Sequence, residues 1–163
     1  MKLLFICTHN RCRSILCEAI TNHINDPRLH AYSAGSQPAG EVHPLSLKYL
    51  AARGIPTNNL HSQSWDDFAN VDIDLAITVC DSAAGESCPL WLGKASKVHW
   101  GLTDPSKLSG SEADIEQAFN DCITAIESRI SALLALDFES LNKTDLITAL
   151  NKIHSDADKG SKY

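Results

Sequence analysis

The opening stretch of this chain constrains its fold more than any other. Lys2–Ile6 is a short apolar run of the kind that becomes a buried strand, and Ser14–Asn25 sets Ile15, Leu16, Ala19, Ile20 and Ile24 at helical spacing. Between them runs Cys7-Thr8-His9-Asn10-Arg11-Cys12-Arg13-Ser14: a cysteine, five residues, an arginine and a serine. A tight loop that leads into a helix N-terminus turns its backbone N–H groups toward one point, which makes a cradle for a tetrahedral oxyanion. Thr8, His9, Asn10, Arg11, Cys12 and Arg13 would form that cradle. Arg13 can grip two oxygens of the anion in a fork. The same positive field favours the thiolate of Cys7, the nucleophilic form of cysteine, and Ser14 can donate a further hydrogen bond to it. A bare Cys-x5-Arg is often chance, a packed cysteine near a surface arginine. Its position between strand and helix is what favours the anion site.

Further along, Leu29–Ser33 reads as a second strand with Ala34-Gly35 as its exit, and Pro27 closes the first helix. Pro44–Arg53 reads as a helix with proline in its first turn and Gly54 past its end. Ile73–Val79 and Lys97–Trp100 are strands, and Asp114–Leu136 is a helix with Ile115, Phe119, Cys122, Ile126, Ile130 and Leu133 on one face. Strands that alternate with helices predict a parallel sheet covered on both faces. Thr144–Ile153 reads as a short last helix capped by Thr144, and Ser155–Tyr163 as a frayed polar tail.

A length of 163 residues with 44% apolar content suits one domain with a real core rather than a disordered chain. The net charge of −6, from 14 basic and 20 acidic residues, argues against general binding to nucleic acid or anionic membrane while leaving room for a local anion site. No apolar run approaches a membrane span. The start imitates a lipoprotein signal, but its apolar stretch is only four residues, Leu3–Ile6. The expected setting is the cytoplasm and the expected state a monomer. In a reducing compartment the six cysteines are expected free, catalytic or redox-active rather than structural staples.

Cys7, Cys80 and Asp104 each follow a strand. In parallel α/β sheets ligands bind beyond the carboxyl ends of the strands, so the three can meet there. Asp104-Pro105 alone would suit a plain turn; beside an anion loop, Asp104 can protonate a departing oxygen. Cys12, Cys17 and Cys122 read as packing residues. His9 can tune the loop or simply face solvent. Trp65, Trp91 and Trp100 read as core or rim aromatics. No Cys or His spacing fits a structural zinc site.

The loop resembles that of the low-molecular-weight phosphotyrosine phosphatases and their arsenate-reductase relatives. The likeness continues through Ser33-Ala34-Gly35, the Pro44 helix, Ile77-Thr78-Val79-Cys80-Asp81 and His99-Trp100-Gly101-Leu102-Thr103-Asp104-Pro105. It spans most of residues 1–136, a phosphatase-like domain, and leaves 137–163 as a C-terminal extension. The resemblance implies a flavodoxin-like α/β fold, a four-stranded parallel sheet of order 2-1-3-4. It implies arsenate reduction, a detoxifying reaction, by a thiol relay with catalytic residues Cys7, Arg13, Ser14, Cys80, Cys88 and Asp104. Cys7 would attack arsenate, Asp104 would help water leave, Cys80 would attack Cys7 and release arsenite, and Cys88 would then attack Cys80. No cofactor is tightly bound in this scheme. An external thiol reductant, thioredoxin first or glutathione with glutaredoxin second, would open the Cys80–Cys88 disulfide. Phosphate or sulfate would fit the same loop.

Were residues 80–88 one helix, the two Cα atoms would stand about 12 Å apart, whereas a disulfide needs them within roughly 7 Å. That segment must bend or unwind, and Gly85 and the small Ser82, Ala83 and Ala84 suit it. Asp104-Pro105 is followed by Ser106-Lys107-Leu108, where tyrosine phosphatases of the family carry aromatic residues; a mouth without an aromatic wall suits a small inorganic anion. The chain departs from the thioredoxin-coupled pattern in having seven residues between Cys80 and Cys88, one more than usual. Arg11 is bulkier than the residue usual at its place. Asn10, Glu18 and Ser33 match donors of a potassium site in some members, but the later acidic position falls on Ser64. The runner-up reading is a phosphatase that hydrolyses phosphoesters through a Cys7 phosphoenzyme. The third is a non-catalytic redox sensor, which would not need an acid at Asp104.

Overall fold

The computed structural model describes residues 1–80, 83, 85 and 90–160, with 90–91 and 158–160 as backbone only. Cys88, Asp81 and the side chain of Trp91 therefore lie outside the described residues. Four strands, β1 (Lys2–Ile6), β2 (His30–Ala34), β3 (Leu75–Thr78) and β4 (Ser96–His99), form one parallel sheet of order β2-β1-β3-β4. Among the described residues four α-helices accompany them: α1 (Arg13–Ile24), α2 (Pro44–Ala52), α3 (Glu112–Leu134) and α4 (Lys143–Gly160). This is the flavodoxin-like arrangement expected. Leu3 and Phe5 point to one face of β1 and Leu4 and Ile6 to the other, and all four are buried, so both faces are covered.

Element ends follow local chemistry more than the apolar pattern. α1 stops ahead of Pro27, at Asn25, which turns left-handed (φ 59°) and returns its N–H to Asn22 O. α2 starts at Pro44 behind His43, whose ring accepts the Leu45 N–H, and closes before Gly54 (φ 72°). α3 begins at Glu112, two residues before the expected Asp114, because Ser111 and Asp114 cap each other reciprocally. β3 is shorter than Ile73–Val79, although Ile73 and Val79 are both buried at its ends.

The last helix differs most from the sequence reading. Its cap is Asn142, not Thr144: Asn142 Oδ1 accepts the Asp145 N–H at 2.8 Å, and Asn142 Nδ2 donates to Asp145 Oδ2. With no glycine or proline until Gly160, the helix runs on past Ile153. It packs against β4 and α3, and Leu150 is fully buried there. No helix among the described residues is long and apolar enough to cross a membrane.

Candidate active site

The strand register brings the site together. Ile6 pairs with Thr78, and Thr78 with His99, so β1, β3 and β4 end at one level. The segments carrying Cys7, Cys80 and Asp104 leave the sheet at that shared carboxyl edge.

The loop from Cys7 to Arg13 is held from outside by its carbonyl groups. Gln37 N donates to Thr8 O, Ala39 N to His9 O and His43 N to Arg11 O, each at 2.9 Å. In a trans peptide the N–H points opposite its C=O, so the N–H groups of His9, Asn10 and Cys12 turn the other way, into the loop. Asn10 allows the curvature: it is fully buried with φ 46°, Gln63 N donates to its Oδ1 at 2.9 Å, and its Nδ2 donates to Ser14 Oγ at 2.8 Å. That bond leaves the Ser14 hydroxyl proton for another acceptor. Gly35, at the exit of β2, presses against the loop so closely that a Cβ there would lie 2.5 Å from Thr8 O and 2.7 Å from Cys7 O. His9 and Arg11 face solvent, and His9 Nδ1 lies 3.1 Å from Gln37 O.

Arg13, the first residue of α1, lies across the loop. Its Nη1 donates to Leu102 O at 3.0 Å and its Nη2 meets Asp104 Oδ2 at 3.5 Å. Its Nε is buried and has no hydrogen-bond partner among the described residues. A guanidinium donor without an acceptor is costly to bury, and an oxyanion in the loop would satisfy it. Asp104 caps the turn Pro105–Lys107, with Ser106 N and Ser106 Oγ both donating to its Oδ1 at 2.9 and 2.6 Å.

Cys80 is buried beside Cys7, the two side chains in hydrogen-bond contact. Its sulfur lies 3.7 Å from Thr8 Oγ1 and receives the Ala83 N–H at 3.4 Å. The hydrogen bond from Cys7, with help from Thr8 and Ala83, pulls the Cys80 thiol down to about 5 against the penalty of burial. The same bond, followed by burial, pushes Cys7 upward, although Arg13 works the other way. The two thiols share one proton: ionising either one raises the other, and Arg13 favours the charge on Cys7 while burial opposes it.

Cys12 is buried within reach of the Ser46 and Ser106 hydroxyls, and burial raises its thiol to about 11. Cys17 and Cys122 are buried in the core and raised by desolvation. Glu18, inside α1, accepts from Ser33 Oγ at 3.0 Å, and burial lifts its carboxyl to about 7. The possible potassium donors Asn10, Glu18 and Ser33 therefore already bond to protein partners. Ser64 caps the turn Trp65–Phe68 with Asp67, and no cluster of three or more His, Cys, Asp or Glu residues suited to a metal is found among the described residues.

Sequence reading missed Arg129. It is buried on α3 and donates from Nη1 to Trp100 O at 3.0 Å and from Nη2 to Gly101 O at 3.2 Å, fixing the strand that delivers Asp104. The signal was present: Arg129 falls between Ile126 and Leu133 on the apolar face of its helix. Trp100 is buried, while Trp65 only partly packs against the core.

The sequence model of the low molecular weight phosphotyrosine protein phosphatase family matches residues 2–147. An arsenate reductase of Shouchella clausii is 30% identical over 132 residues, 78% of this chain and 91% of that protein. One of Bacillus licheniformis is 34% identical over 113 residues, 69% of this chain and 79% of that protein. Among solved structures, a thioredoxin-dependent arsenate reductase of Corynebacterium glutamicum aligns with TM-score 0.61 at 28% identity, over 82% of this chain and 61% of that one. A low molecular weight phosphotyrosine phosphatase of Vibrio cholerae aligns with TM-score 0.67 at 20% identity, over 82% of this chain and 94% of that one, a likeness of fold alone.

Proposed function

Because the chain belongs to the low molecular weight phosphotyrosine protein phosphatase family, we propose that within it this protein is an arsenate reductase, working in the cytoplasm by a relay of thiols. The observation that carries this reading is the second thiol: Cys80 in hydrogen-bond contact with Cys7. A hydrolase needs water in line on the far side of the phosphoryl group, and has no use for a second thiol against its nucleophile.

In this reading the inward N–H groups and Arg13 hold arsenate, and the free Nε of Arg13 gains its acceptor. Cys7 passes its proton to the bound dianion and attacks arsenic. Asp104 donates a proton to the departing hydroxyl, which leaves as water instead of a strongly basic ion. The Cys80 thiolate then attacks Cys7 Sγ and breaks the sulfur–arsenic bond. The electron pair of that bond stays on arsenic, so As(V) becomes As(III) and leaves as arsenite, while the two thiols are oxidised to a disulfide. Cys88 would displace Cys7 from Cys80. An external dithiol would reduce the Cys80–Cys88 bond; the thioredoxin-dependent relative favours thioredoxin over glutathione with glutaredoxin.

The test supplies the protein with arsenate, thioredoxin, its reductase and NADPH, and follows NADPH loss. Turnover should vanish in Cys80→Ser and Cys88→Ser. If both variants instead hydrolyse an aryl phosphate at the parental rate and the parent ignores arsenate, the protein is a phosphatase.

A further inference from the structure

The carboxyl group of Asp104 is not symmetric in its surroundings. Oδ1 accepts two hydrogen bonds from one residue, from Ser106 N at 2.9 Å and from Ser106 Oγ at 2.6 Å. Oδ2 has no such donors; it lies 3.5 Å from Arg13 Nη2, on the side of the anion loop. We propose that Ser106 is a positioning residue for Asp104: it occupies one carboxyl oxygen so that the other bears the transferable proton and faces the anion. The proposal rests on reading Asp104 as the proton donor.

An oxygen that accepts two short bonds has both lone pairs engaged, so the acidic proton resides on its neighbour. The backbone bond alone would leave Oδ1 a free lone pair and the carboxyl free to rotate between equivalent protonation states. The hydroxyl removes that choice. Pro105, buried ahead of Ser106, fixes the turn, so the side chain can be exchanged with little change in backbone path.

The groups that face Asp104 come from every side: Arg13 from α1, Cys7 and Cys12 from the loop, His43 from the head of α2 and Cys122 from α3. Burial lowers His43 and so favours its neutral ring, while burial raises Cys12 and Cys122 and favours their protonated thiols. Arg13 is then the fixed charge, and Ser106 the neutral donor whose removal disfavours the ionised carboxylate.

The test compares the parent with Ser106→Ala and Ser106→Thr across the pH range of activity. Arsenate is used in the thioredoxin-coupled assay, and two aryl phosphates of unequal leaving-group basicity are used in parallel. Ser106→Ala should lower kcat about five- to tenfold, a part of the roughly 10²–10⁴-fold that a positioned acid supplies, with KM for arsenate near the parental value. The limb where the acid loses its proton should move to higher pH. The loss should be greater for the aryl phosphate with the more basic leaving group, Ser106→Thr should recover the parental profile, and Ser106→Ala should cost nothing more in an Asp104→Asn background. An unmoved limb, equal losses on both aryl phosphates, no recovery by threonine, or rates per folded molecule equal to the parent would each overturn the proposal. A parent that ignores arsenate but hydrolyses aryl phosphates defeats the reductase reading, and Ser106 is then judged on the aryl phosphates. A parent inert toward both overturns both.

Discussion

The indole N–H of Trp100 donates to the carbonyl oxygen of Leu150 at 2.9 Å, both buried. Trp100 directly follows the fourth strand, and Leu150 sits inside the last helix, in a part of the chain beyond the family match at residue 147. The residue pair fastens the end of the strand that leads to Asp104 to a helix of which the family match covers only the start, Lys143–Ile147. Trp100→Phe keeps the ring and removes the donor, which should cost about 1 kcal/mol and lower the melting temperature by roughly 2–4 °C. Leu150→Ala should cost about 2–5 kcal/mol. Calorimetry measures both; a neutral Leu150→Ala would mean the helix contributes nothing to the core.

The Cys7–Cys80 pair predicts one reactive thiolate at neutral pH. Its absorbance should have a midpoint below the ordinary thiol value of 9.0. In Cys7→Ala the remaining Cys80 thiol loses its largest source of stabilisation, so the midpoint should rise. The depressed Cys80 value contributes stability that is full above the unfolded thiol value of 9.0 and disappears as pH falls through about 5. Above 9.0 the raised Cys7 opposes it, since the unfolded chain would then release a proton that the fold retains. Ultraviolet titration and mass mapping of a mild alkylating agent read out the first part, and denaturation at several pH values the second.

Glu18 gives the opposite slope. Its folded value of about 7 lies above the ordinary 4.5, so its contribution is intact below 4.5 and is lost as pH rises through 7. The full shift corresponds to on the order of 3 kcal/mol. Glu18→Gln keeps the acceptor for Ser33 Oγ and removes the charge, and should melt higher than the parent at pH 8 but not at pH 4. Equal melting curves at pH 8 would show that Glu18 is solvated or paired.

Gly35 is held to glycine by contact rather than by its backbone angles. In Gly35→Ala the new Cβ meets the carbonyls of Thr8 and Cys7, backbone atoms that cannot swing aside. The loop must move, and kcat/KM for the bound anion should fall at least tenfold, because small displacements of positioned groups are costly in rate. Crystallography with phosphate bound, or a phosphate-binding titration, shows the displaced cradle directly.

Arg13→Lys preserves charge but not the fork. A lysine can meet one oxygen, and it gives up the bonds to Leu102 O and Asp104 that orient the arginine. Anion affinity should drop by about tenfold or more. Isothermal titration with phosphate tests this without turnover.

Local chemistry made much of the molecule readable from residues alone. The apolar run Lys2–Ile6, the loop after it and the helix behind it specify a strand, an anion cradle and a dipole without reference to distant residues. The caps at Ser111 and His43 are also local, as hydrogen bonds between residues two or three apart. What the sequence by itself determined was therefore the order of elements, the parallel sheet and the presence of a nucleophile, a fork and an acid at strand ends. The tertiary structure alone decided that Cys7 and Cys80 share a proton, that Arg129 and Leu150 hold the end of the acid strand from two helices, and that Oδ1 of Asp104 is taken by Ser106. These depend on how far apart groups lie after folding and how much water remains between them. Burial, proton sharing and buried hydrogen bonds arise between residues far apart along the chain, so no local pattern of residues records them.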